Sequence, residues 1–426
     1  MMARKVTRGT VVSLTPLPLE ADSRTFRIAR SLGEAGWHSI VIEGRVSANR
    51  FWGNAVEVRS LGSQASHRAT TSPRRRARDG PVAMARNGRL GVGGELALYL
   101  GFRGWDWWRH CWRPRGCIPP AELYYLHSFE FHRAVAPITA RTGARIIYDA
   151  HDFYRGIEPP ERQAAFDRNR VRPFFDALEA RLVAAADAAV TVSDGIAALM
   201  ERTFGRRPTV LRNYHDERLD QAVAPDLRTS LSLAPADRLC VVVGNRKPGM
   251  AVDTAVDALA MLPTRFHVAF VGRGYEADRV RLRRHPAVSR VHFGRHVAPN
   301  QVVPFIRTAD IGLVIYEPYS ANYRYALPNG FFQVIAAGLP LVRAALPEIE
   351  AAIGRRPVGA RLDRLDPPTL AAAILRCPED TAGLRAAVAV LARELRWEAE
   401  SRRLNGLVDE VTDRPVRIPR ETEAVA

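Results

Sequence analysis

The chain is poor in cysteine, with four among 426 residues, and none of these cysteines has the CxxC spacing of a zinc or redox site. We therefore expect neither a metal site nor a disulfide framework, and this usage fits a reducing, cytoplasmic setting. No apolar stretch approaches ~18 residues, so no segment is expected to span a membrane. There is no internal repeat. No acidic pair stands out as the acid and nucleophile of a two-carboxylate hydrolase.

Charge of one sign dominates the sequence. Lysine and arginine number 62 against 45 acidic residues, which gives a net charge of +17 and a pI near 10.5. Such an excess favours acidic partners, namely nucleic acid, anionic lipid or phosphorylated small molecules, although a generally arginine-rich composition is an equal explanation. The arginines are scattered and match no nucleic-acid-binding motif, so no nucleic-acid partner is predicted.

Short apolar runs alternate with helical patterns along most of the chain. The first run, from Thr10 to Leu14, is only a strand's length, so it predicts a β-strand and not a signal peptide. The alternation predicts α/β architecture with parallel sheets. Its interruption after residue 215 predicts a first domain over 1–215 and a second over 216–395. A C-terminal helix over 396–412 and a disordered tail over 413–426 are expected to follow, within a stretch from Thr381 to Val411 that has a helical pattern throughout.

The second domain begins with a strand, the turn GNRKPGM and a helix. Gly244 permits a tight turn, and Arg246 and Lys247 follow it on the loop. Backbone N–H groups, a helix start and two cations suit a diphosphate. An ordinary solvated loop is the alternative.

A second turn of the same form reads FVGRGYE, with Gly272, Arg273 and Gly274 directly after a strand. In a doubly wound domain this turn is expected beside the base or ribose of a nucleotide. A purely structural turn explains these glycines equally well.

The segment LPNGFFQVIAAGLPLV carries the most specific pattern. Asn329 and Gly330 start a helix, where backbone amides can hold phosphate. Gln333 lies one turn further and could bind ribose hydroxyls. The alternative is a helix N-cap with a surface glutamine.

In the first domain, the sequence DAHD follows a predicted strand that ends at Tyr148. His151 is thereby expected at the carboxyl end of a parallel strand, where ligands meet such sheets. A neutral imidazole there can hydrogen-bond a sugar hydroxyl, although a lone histidine is also commonly structural.

These segments together resemble the retaining glycosyltransferases of family four. The resemblance covers about Val11 to Glu400 and rests on DSRTFRIARSLGEAGW, YDAHD, LEARLVAAADAAVTVSDGIAALM, GNRKPGM, LPNGFFQVIAAGLPLV and LRWEAESRRL. It implies the GT-B fold, two Rossmann-like doubly wound parallel-sheet domains facing across a cleft. The last of these segments resembles a terminal helix that packs back on the first domain, with Trp397 buried.

The resemblance also implies an activity and roles for residues. It implies metal-independent transfer of a sugar, with retention, from a nucleotide diphosphate donor to a sugar or lipid-linked acceptor in surface polysaccharide or glycoconjugate synthesis, with no further cofactor. His151 would contact the transferred sugar, and Arg246 and Lys247 would neutralise the diphosphate. Phe332 and Gln333 would belong to the helix that carries the family's PNKxFE pattern.

The sequence departs from that family at several positions. Gln333 replaces the usual Glu, Tyr325 stands where a partner Glu would be, and Gly330 replaces the usual Lys. Two alternatives therefore stand beside the transferase. One is a non-catalytic protein that binds a sugar nucleotide or a partner, and the other is a GT-B sugar-nucleotide epimerase.

A stretch of tryptophans and arginines, GFRGWDWWRHCWRPRG, departs from the alternation of strands and helices. Tryptophan favours membrane interfaces and arginine favours anionic headgroups. The stretch therefore predicts either peripheral attachment to the inner face of the plasma membrane or an aromatic lid on the first domain. Its tryptophans are Trp105, Trp107, Trp108 and Trp112.

Overall fold

The computed structural model describes residues 8–48, 56–61, 116–156, 172–294, 297–377 and 381–415. The predictions for Trp105, Trp107, Trp108 and Trp112, and for most of the 413–426 tail, lie outside these residues. The chain forms two compact units. The first unit comprises Met1–Thr191, Ala197–Val210 and Ser401–Ala426, and the second comprises Val192–Ile196 and Leu211–Glu400.

The first unit contains a seven-stranded parallel sheet. Its strand order is β3-β2-β1-β4-β5-β6-β7, so the order reverses between β1 and β4. The strands are β1 (Thr10–Thr15), β2 (His38–Glu43), β3 (Glu57–Ser60), β4 (Leu123–Leu126), β5 (Arg145–Ala150), β6 (Ala188–Thr191) and β7 (Thr209–Val210). Its helices include α1 (Ser23–Glu34), α2 (His132–Thr142) and α3 (Arg172–Ala185), while α4 (Asp194–Phe204) is divided between the units.

Local sequence explains how the first βαβ element forms. Asp22 caps α1 by accepting a hydrogen bond from the Thr25 backbone N–H, which satisfies one of the helix's unpaired donors. Beyond the helix, Gly36 has a φ of +97°, a left-handed conformation that glycine adopts without strain. The chain then enters β2, which pairs in parallel with β1. Every residue of β1 after Thr10 is buried, which indicates a strand covered on both faces.

The second unit contains a six-stranded parallel sheet of the same winding. Its order is β10-β9-β8-β11-β12-β13, with the reversal between β8 and β11. The strands are β8 (Arg238–Val243), β9 (Phe266–Val271), β10 (Val291–Phe293), β11 (Ile311–Val314), β12 (Leu341–Ala344) and β13 (Gly359–Leu362). Helices α5 (Leu227–Ser230), α6 (Val252–Ala260), α7 (Glu276–Arg281), α8 (Val302–Ile306), α9 (Ala321–Arg324), α10 (Asn329–Ala336), α11 (Pro347–Ile353), α12 (Pro367–Leu375) and α13 (Ala382–Glu394) accompany them.

Both sheets have the classical Rossmann winding, and this confirms the predicted fold class of two doubly wound parallel sheets. In such sheets, ligands bind outside the carboxyl ends of the strands, where the order reverses. A ligand site is therefore expected at the loops after β1 and β4 in the first unit and after β8 and β11 in the second.

The C-terminal stretch is not one continuous helix, although its pattern is helical from Thr381 to Val411. It forms α13 and α14 (Trp397–Thr412), separated at Leu395 and Arg396. Arg396 pairs with His215 as an isolated parallel bridge, so the backbone leaves the helical path there. Trp397 is fully buried, as the family resemblance implied.

From Ser401 on, α14 belongs to the first unit. Arg8 contacts Asp409 at 2.6 Å, and the Arg145 guanidinium donates to the Arg414 carbonyl oxygen at 2.6 Å. Within the described ranges, no helix is both long enough and apolar enough to cross a membrane.

Candidate functional site

Two glycine turns lie side by side at the carboxyl end of the second sheet. Gly244 follows β8 with a φ of +137°, which favours glycine. Gly272 follows β9, and a Cβ atom on Gly272 would lie 2.1 Å from the Gly244 carbonyl oxygen. Because any side chain at 272 would collide with backbone, only glycine allows this approach. The main chains of the two predicted turns therefore meet at one point.

The start of α10 lies against the same strand end. A Cβ atom on Gly330 would lie 2.3 Å from the carbonyl oxygen of Val243, the last residue of β8. The N-cap residue, Pro328, makes no side-chain capping hydrogen bond. The first amides of a helix have no partner within the helix and carry partial positive charge. The amides of Asn329 and Gly330 are therefore suited to hold an anion beside the Gly244 turn.

The two cations of the first turn differ in what they contact. The Arg246 Nε donates to Asp278 Oδ2 at 2.9 Å, and its Nη1 donates to the Lys247 carbonyl oxygen. Lys247 is exposed and forms no ion pair within the described part of the chain. The Asp278 carboxylate thus holds Arg246 inside the loop, whereas no described carboxylate pairs with Lys247, so its ammonium is available to a ligand.

The second turn is connected to the first through backbone and side-chain contacts. Arg273 is exposed, and its backbone N–H donates to Asn245 Oδ1 at 2.9 Å. Gly274 has a φ of +92°, and a Cβ atom there would lie 3.3 Å from the Arg246 Cβ. These contacts fix the spacing of the two loops.

An aromatic pair covers the loop that contains Lys247. Tyr319 is 43% exposed and packs against Tyr323 with ring centroids 4.8 Å apart. A Cβ atom on Gly249 would lie 2.6 Å from the Tyr319 ring. The partly exposed Tyr319 ring therefore lies against Gly249, two residues after Lys247 on the same loop.

The helix α10 places Phe332 and Gln333 differently. Phe332 is only 2% exposed, and its ring packs edge to face against Phe331 at 5.1 Å and Tyr214 at 5.3 Å. Its side chain supports the helix from the core. Gln333, the residue after Phe332, is only partly buried.

In the first unit, charged groups collect where β1, β4 and β5 end. Asp22 caps α1 after β1, and His127 directly follows β4. Asp149 is the penultimate residue of β5, and His151 is the first residue beyond it. The position predicted for His151 at a strand end is confirmed. The charged groups around it were not predicted.

The base of this cluster is a buried ion pair. Arg24 and Asp149 are 2% and 0% exposed, and the Arg24 Nε donates to Asp149 Oδ2 at 2.9 Å while Nη2 donates to Oδ1 at 2.9 Å. Burial acts to raise the pKa of Asp149, but the charge of Arg24 and the nearby histidines lower it overall. Asp149 is therefore a carboxylate, and removing Arg24 would leave its charge uncompensated.

Asp22 supplies a second buried carboxylate. Its Oδ2 accepts from the hydroxyls of Thr15 at 2.7 Å and Thr25 at 2.6 Å. Burial acts to raise its pKa, but the charges of His151 and His127 and these hydrogen bonds lower the pKa of Asp22 to about 2. With Arg24, the cluster therefore contains two negative charges and one positive charge before its histidines are considered.

The two imidazoles of the cluster contact each other. The Nδ1 of His127 lies 3.0 Å from the Nε2 of His151. His127 is fully buried, and burial lowers its pKa to about 3, so its ring is neutral. The His151 side chain is 22% exposed. His151 is therefore the member of the cluster that a ligand can reach.

These residues are also the described group best placed to hold a metal ion. Ligand atoms of His127, Asp149 and His151 lie within 4.8 Å of one another. However, Arg24 already donates to both oxygens of Asp149, and a metal ion would face this guanidinium. The geometry fits a hydrogen-bonded network better than a metal site. The absence of a metal stays a prediction.

Sequence reasoning missed Asp22, Arg24, His127 and Asp149 as members of a site. Asp22 and Arg24 lie inside the DSRTFRIARSLGEAGW segment, and Asp149 lies inside the YDAHD segment used for His151. The signal that could have found them is that each follows or ends a buried strand next to the reversal in strand order. That reversal requires knowledge of which strands are neighbours.

Solved structures with similar architecture cover nearly the whole chain. Sucrose-phosphate synthase from Thermosynechococcus elongatus is similar over 94% of this chain and 99% of its own, with a TM-score of 0.65 and 16% identity. Anabaena HepE in complex with UDP-glucose is similar over 95% of this chain and 100% of its own, with a TM-score of 0.64 and 16% identity. WaaG, a glycosyltransferase involved in lipopolysaccharide biosynthesis, gives 95% and 100% coverage, a TM-score of 0.61 and 15% identity.

No protein-family model matches the sequence, and no curated protein matches it. At these identities the structural likenesses show the fold. Together with the two Rossmann-wound sheets, they establish the GT-B fold for this chain.

Proposed function

We propose that this chain is a glycosyltransferase that moves a sugar from a nucleoside diphosphate carrier to an acceptor, with retention at the anomeric carbon and without a divalent metal. One observation carries the proposal. Glycine turns at Gly244 and Gly272 and the helix start at Gly330 converge on the carboxyl end of β8. The loop after β8 carries Lys247, which is exposed and forms no ion pair with a described residue.

The convergence suits a diphosphate for an electrostatic reason. As the glycosidic bond breaks, negative charge develops on the departing nucleoside diphosphate. Fixed positive groups aimed at that charge stabilise the transition state without any reorganisation. In this unit, those groups are the Lys247 ammonium and the amides of Asn329 and Gly330. Arg246 has a supporting role, because Asp278 holds it in the loop.

Composition adds support for the choice of Lys247. Lysine and arginine total 62, and only two of them, Lys5 and Lys247, are lysine. An ammonium is a compact point charge, whereas a guanidinium is a wide planar fork. In a chain that otherwise uses arginine, a lysine at this turn suggests that the site needs the smaller cation.

The remaining roles follow from position. Gln333 would hydrogen-bond the ribose, since an amide both donates and accepts. The Tyr319 ring would stack on the nucleobase, because an exposed aromatic face lies beside the Lys247 loop. His151 would contact the transferred sugar, as the family resemblance implies. HepE in complex with UDP-glucose has the same fold, so a UDP-sugar is the first donor to test.

A second candidate function is non-catalytic binding of a sugar nucleotide. Tyr325 and Gln333 stand where the resembled family has two carboxylates, and Tyr325 is embedded in packing. A Cβ atom on Gly195 would lie 2.1 Å from the Tyr325 ring, and Ser193 Oγ donates to the Tyr325 carbonyl oxygen at 2.8 Å. Because neither position carries a carboxylate here, non-catalytic binding of a sugar nucleotide remains the second candidate function.

A donor screen followed by a transfer assay separates these functions. We expect one of the UDP, GDP, dTDP or ADP sugars to raise the melting temperature, and the matching labelled donor to yield a glycosylated acceptor with unchanged anomeric configuration by proton NMR. Binding without transfer would favour the non-catalytic protein. Conversion of the donor sugar without any acceptor would indicate the epimerase. Absence of binding to all four donors would contradict the proposal.

The chain's lysine scarcity makes donor binding directly observable. An amine-specific reagent can label only Lys5, Lys247 and the chain's N-terminal amine. We expect the correct nucleoside diphosphate to protect Lys247 and leave Lys5 fully labelled, as read by mass spectrometry. Equal labelling of both lysines at a saturating nucleotide concentration would remove Lys247 from the site.

The acceptor and its location belong to the same proposal. We propose a sugar or lipid-linked acceptor, with the tryptophan and arginine stretch attaching the protein to an anionic membrane surface. Co-sedimentation with vesicles containing anionic lipid, lost when Trp107 and Trp108 become alanine, is the expected result. Failure of the unaltered protein to co-sediment would remove the membrane part alone.

A further inference from the structure

The histidine pair in the first unit has a feature that the proposed reaction does not use. His127 is completely buried, and its Nε2 has no hydrogen-bond partner in the described part of the chain. Its other ring nitrogen, Nδ1, lies 3.0 Å from His151 Nε2 and 3.5 Å from Asp149 Oδ2. The ring therefore has two acceptors on one side and none on the other.

This asymmetry decides which nitrogen of His127 carries the proton. A neutral imidazole has one N–H donor and one acceptor nitrogen. A proton on Nε2 would be a buried N–H with no acceptor, which is rarer in proteins than an under-satisfied acceptor. A proton on Nδ1 meets His151 Nε2 and a carboxylate oxygen together. The Nδ1–H tautomer of His127 is therefore favoured.

The position of His127 is itself fixed by the sheet. Its backbone N–H donates to the Leu14 carbonyl oxygen at 3.0 Å, in register with the pairing of β1 and β4. Its ring packs against the Tyr125 ring at 5.0 Å between centroids. The Asp149 side chain is fixed as well, because Arg24 donates hydrogen bonds to both of its carboxylate oxygens. The donor and the carboxylate thus face His151 from rigid elements.

We propose that His127 is a positioning residue that holds His151 in its Nδ1–H tautomer. Because His127 Nδ1–H donates to His151 Nε2, the proton of a neutral His151 must lie on Nδ1. That nitrogen has no hydrogen bond to a described residue. His151 therefore presents an N–H donor, rather than a lone pair, to an oxygen of its ligand. The role assigned to that ligand, a sugar, rests on the proposed function.

Charged and polar groups from three elements surround the pair. The groups that face it are Asp22 and Arg24 from the start of α1, Tyr125 from β4 and Asp149 from β5. The His151 Nε2 lies 3.7 Å from Asp149 Oδ2, so the same carboxylate borders both rings.

The tautomer is measured by long-range proton–nitrogen correlation on protein labelled with ¹⁵N-histidine, at a pH where His151 is neutral. His151 is assigned by the signal that disappears in His151→Gln. We expect its Nδ1 to be protonated in the unaltered protein. In His127→Phe we expect the proton to move to Nε2, the tautomer favoured in water. In His127→Asn, whose amide can still donate from the Nδ1 position, Nδ1–H should be retained.

The chain offers a matched control in the second unit. His267 Nδ1 lies 3.0 Å from His292 Nε2, so His292→Phe removes one ring of a pair with the same separation. The His151 signals should not change in that variant. A proton on His151 Nε2 in the unaltered protein would overturn the proposal, and this test requires only that the assignment variant His151→Gln folds. An unchanged His151 tautomer in folded His127→Phe would overturn it as well.

Turnover supplies a second readout that depends on the proposed function. His127→Phe should lower kcat about 10–100-fold, as expected for loss of an outer-shell partner, with a smaller change in the KM for donor. His127→Asn should recover most of the rate. If the protein transfers no sugar, the NMR result still stands, so failure of the positioning role and failure of the proposed function are distinguishable.

Discussion

At the scale of single residues, Glu179 shows how burial alone changes the chemistry of a carboxyl group. Glu179 lies on α3, is 2% exposed and accepts a hydrogen bond from the Tyr148 hydroxyl at 2.7 Å. Burial raises its pKa to about 7, and the hydrogen bond from Tyr148 only partly offsets this. Asp149 is equally buried, yet Arg24 holds it ionised. The pKa values of the two carboxyl groups differ because Asp149 contacts the Arg24 guanidinium.

Glu179 is therefore expected to make stability depend on pH. Its pKa is higher in the folded protein than the ordinary value of 4.5. The stability that it contributes is complete below pH 4.5 and is lost as pH rises through about 7. Glu179→Gln keeps an acceptor for Tyr148 and removes the charge. Between pH 5 and pH 8, the free energy of unfolding should fall by up to about 3 kcal/mol less in the variant than in the unaltered protein.

Urea unfolding at pH 5 and pH 8 measures this difference. Glu201, on α4, provides the control, because it is exposed and pairs with Arg207 at 2.9 Å. Glu201→Gln should leave the pH dependence of the unaltered protein in place. The same pH dependence in Glu179→Gln and the unaltered protein would contradict the account of Glu179.

At the scale of elements, the approach of α10 to the end of β8 depends on Gly330. A Cβ atom there would collide with the Val243 carbonyl oxygen at 2.3 Å, so the helix start must move away in Gly330→Ala. We expect a loss of about 1–3 kcal/mol in the free energy of unfolding, as for other overpacked sites. We also expect at least about tenfold weaker binding of the nucleoside diphosphate, because the amides of the helix start move with it.

Calorimetric titration with the nucleotide and urea unfolding test both parts. Gly406→Ala is the control, since Gly406 is exposed on α14 with no atom within 4 Å of an added Cβ. That substitution should raise stability by about 0.5–1 kcal/mol and leave binding unchanged. Unchanged nucleotide affinity in folded Gly330→Ala would remove the helix start from the site.

Elements also show how far the sequence alone could go. The strand β1 (Thr10–Thr15) was predicted to within one residue, because Thr10 to Leu14 is a short apolar run of strand length. The strand β13 (Gly359–Leu362) was missed, since GARL has little apolar character and its strand forms by pairing with β12. The break between α13 and α14 was missed for the same kind of reason. It depends on the bridge between His215 and Arg396, residues far apart in sequence.

The candidate sites divide in the same way. The loops around Gly244, Gly272 and Asn329 could be found because each combines a local turn or helix start with polar residues. The cluster of Arg24, His127 and Asp149 could not, because its members come from α1 and the ends of β4 and β5, which only the sheet order brings together.

At the scale of the whole molecule, the net charge of +17 favours a ligand with phosphate groups. In the proposed reaction, the neutralising charge comes from the protein itself. We therefore expect sugar transfer to proceed at an unchanged rate after EDTA treatment and removal of the chelate. Addition of Mg²⁺ or Mn²⁺ should change the rate less than about twofold, because the proposed transfer uses no Lewis acid.

A chelator-inactivated enzyme restored by Mg²⁺ or Mn²⁺ would contradict that expectation. His127→Asn distinguishes the source of such a result. If the restored activity also required His127, the His127, Asp149 and His151 group would be the metal site.

The central claim is that Lys247 meets the charge of the departing diphosphate. The most direct measurement is the turnover of Lys247→Ala with the identified donor and acceptor, alongside Lys5→Ala as the matched control. We expect kcat to fall ~10²-fold or more in Lys247→Ala, as when one group that stabilises developing charge is removed, and to stay unchanged in Lys5→Ala. An undiminished turnover in Lys247→Ala would contradict the claim.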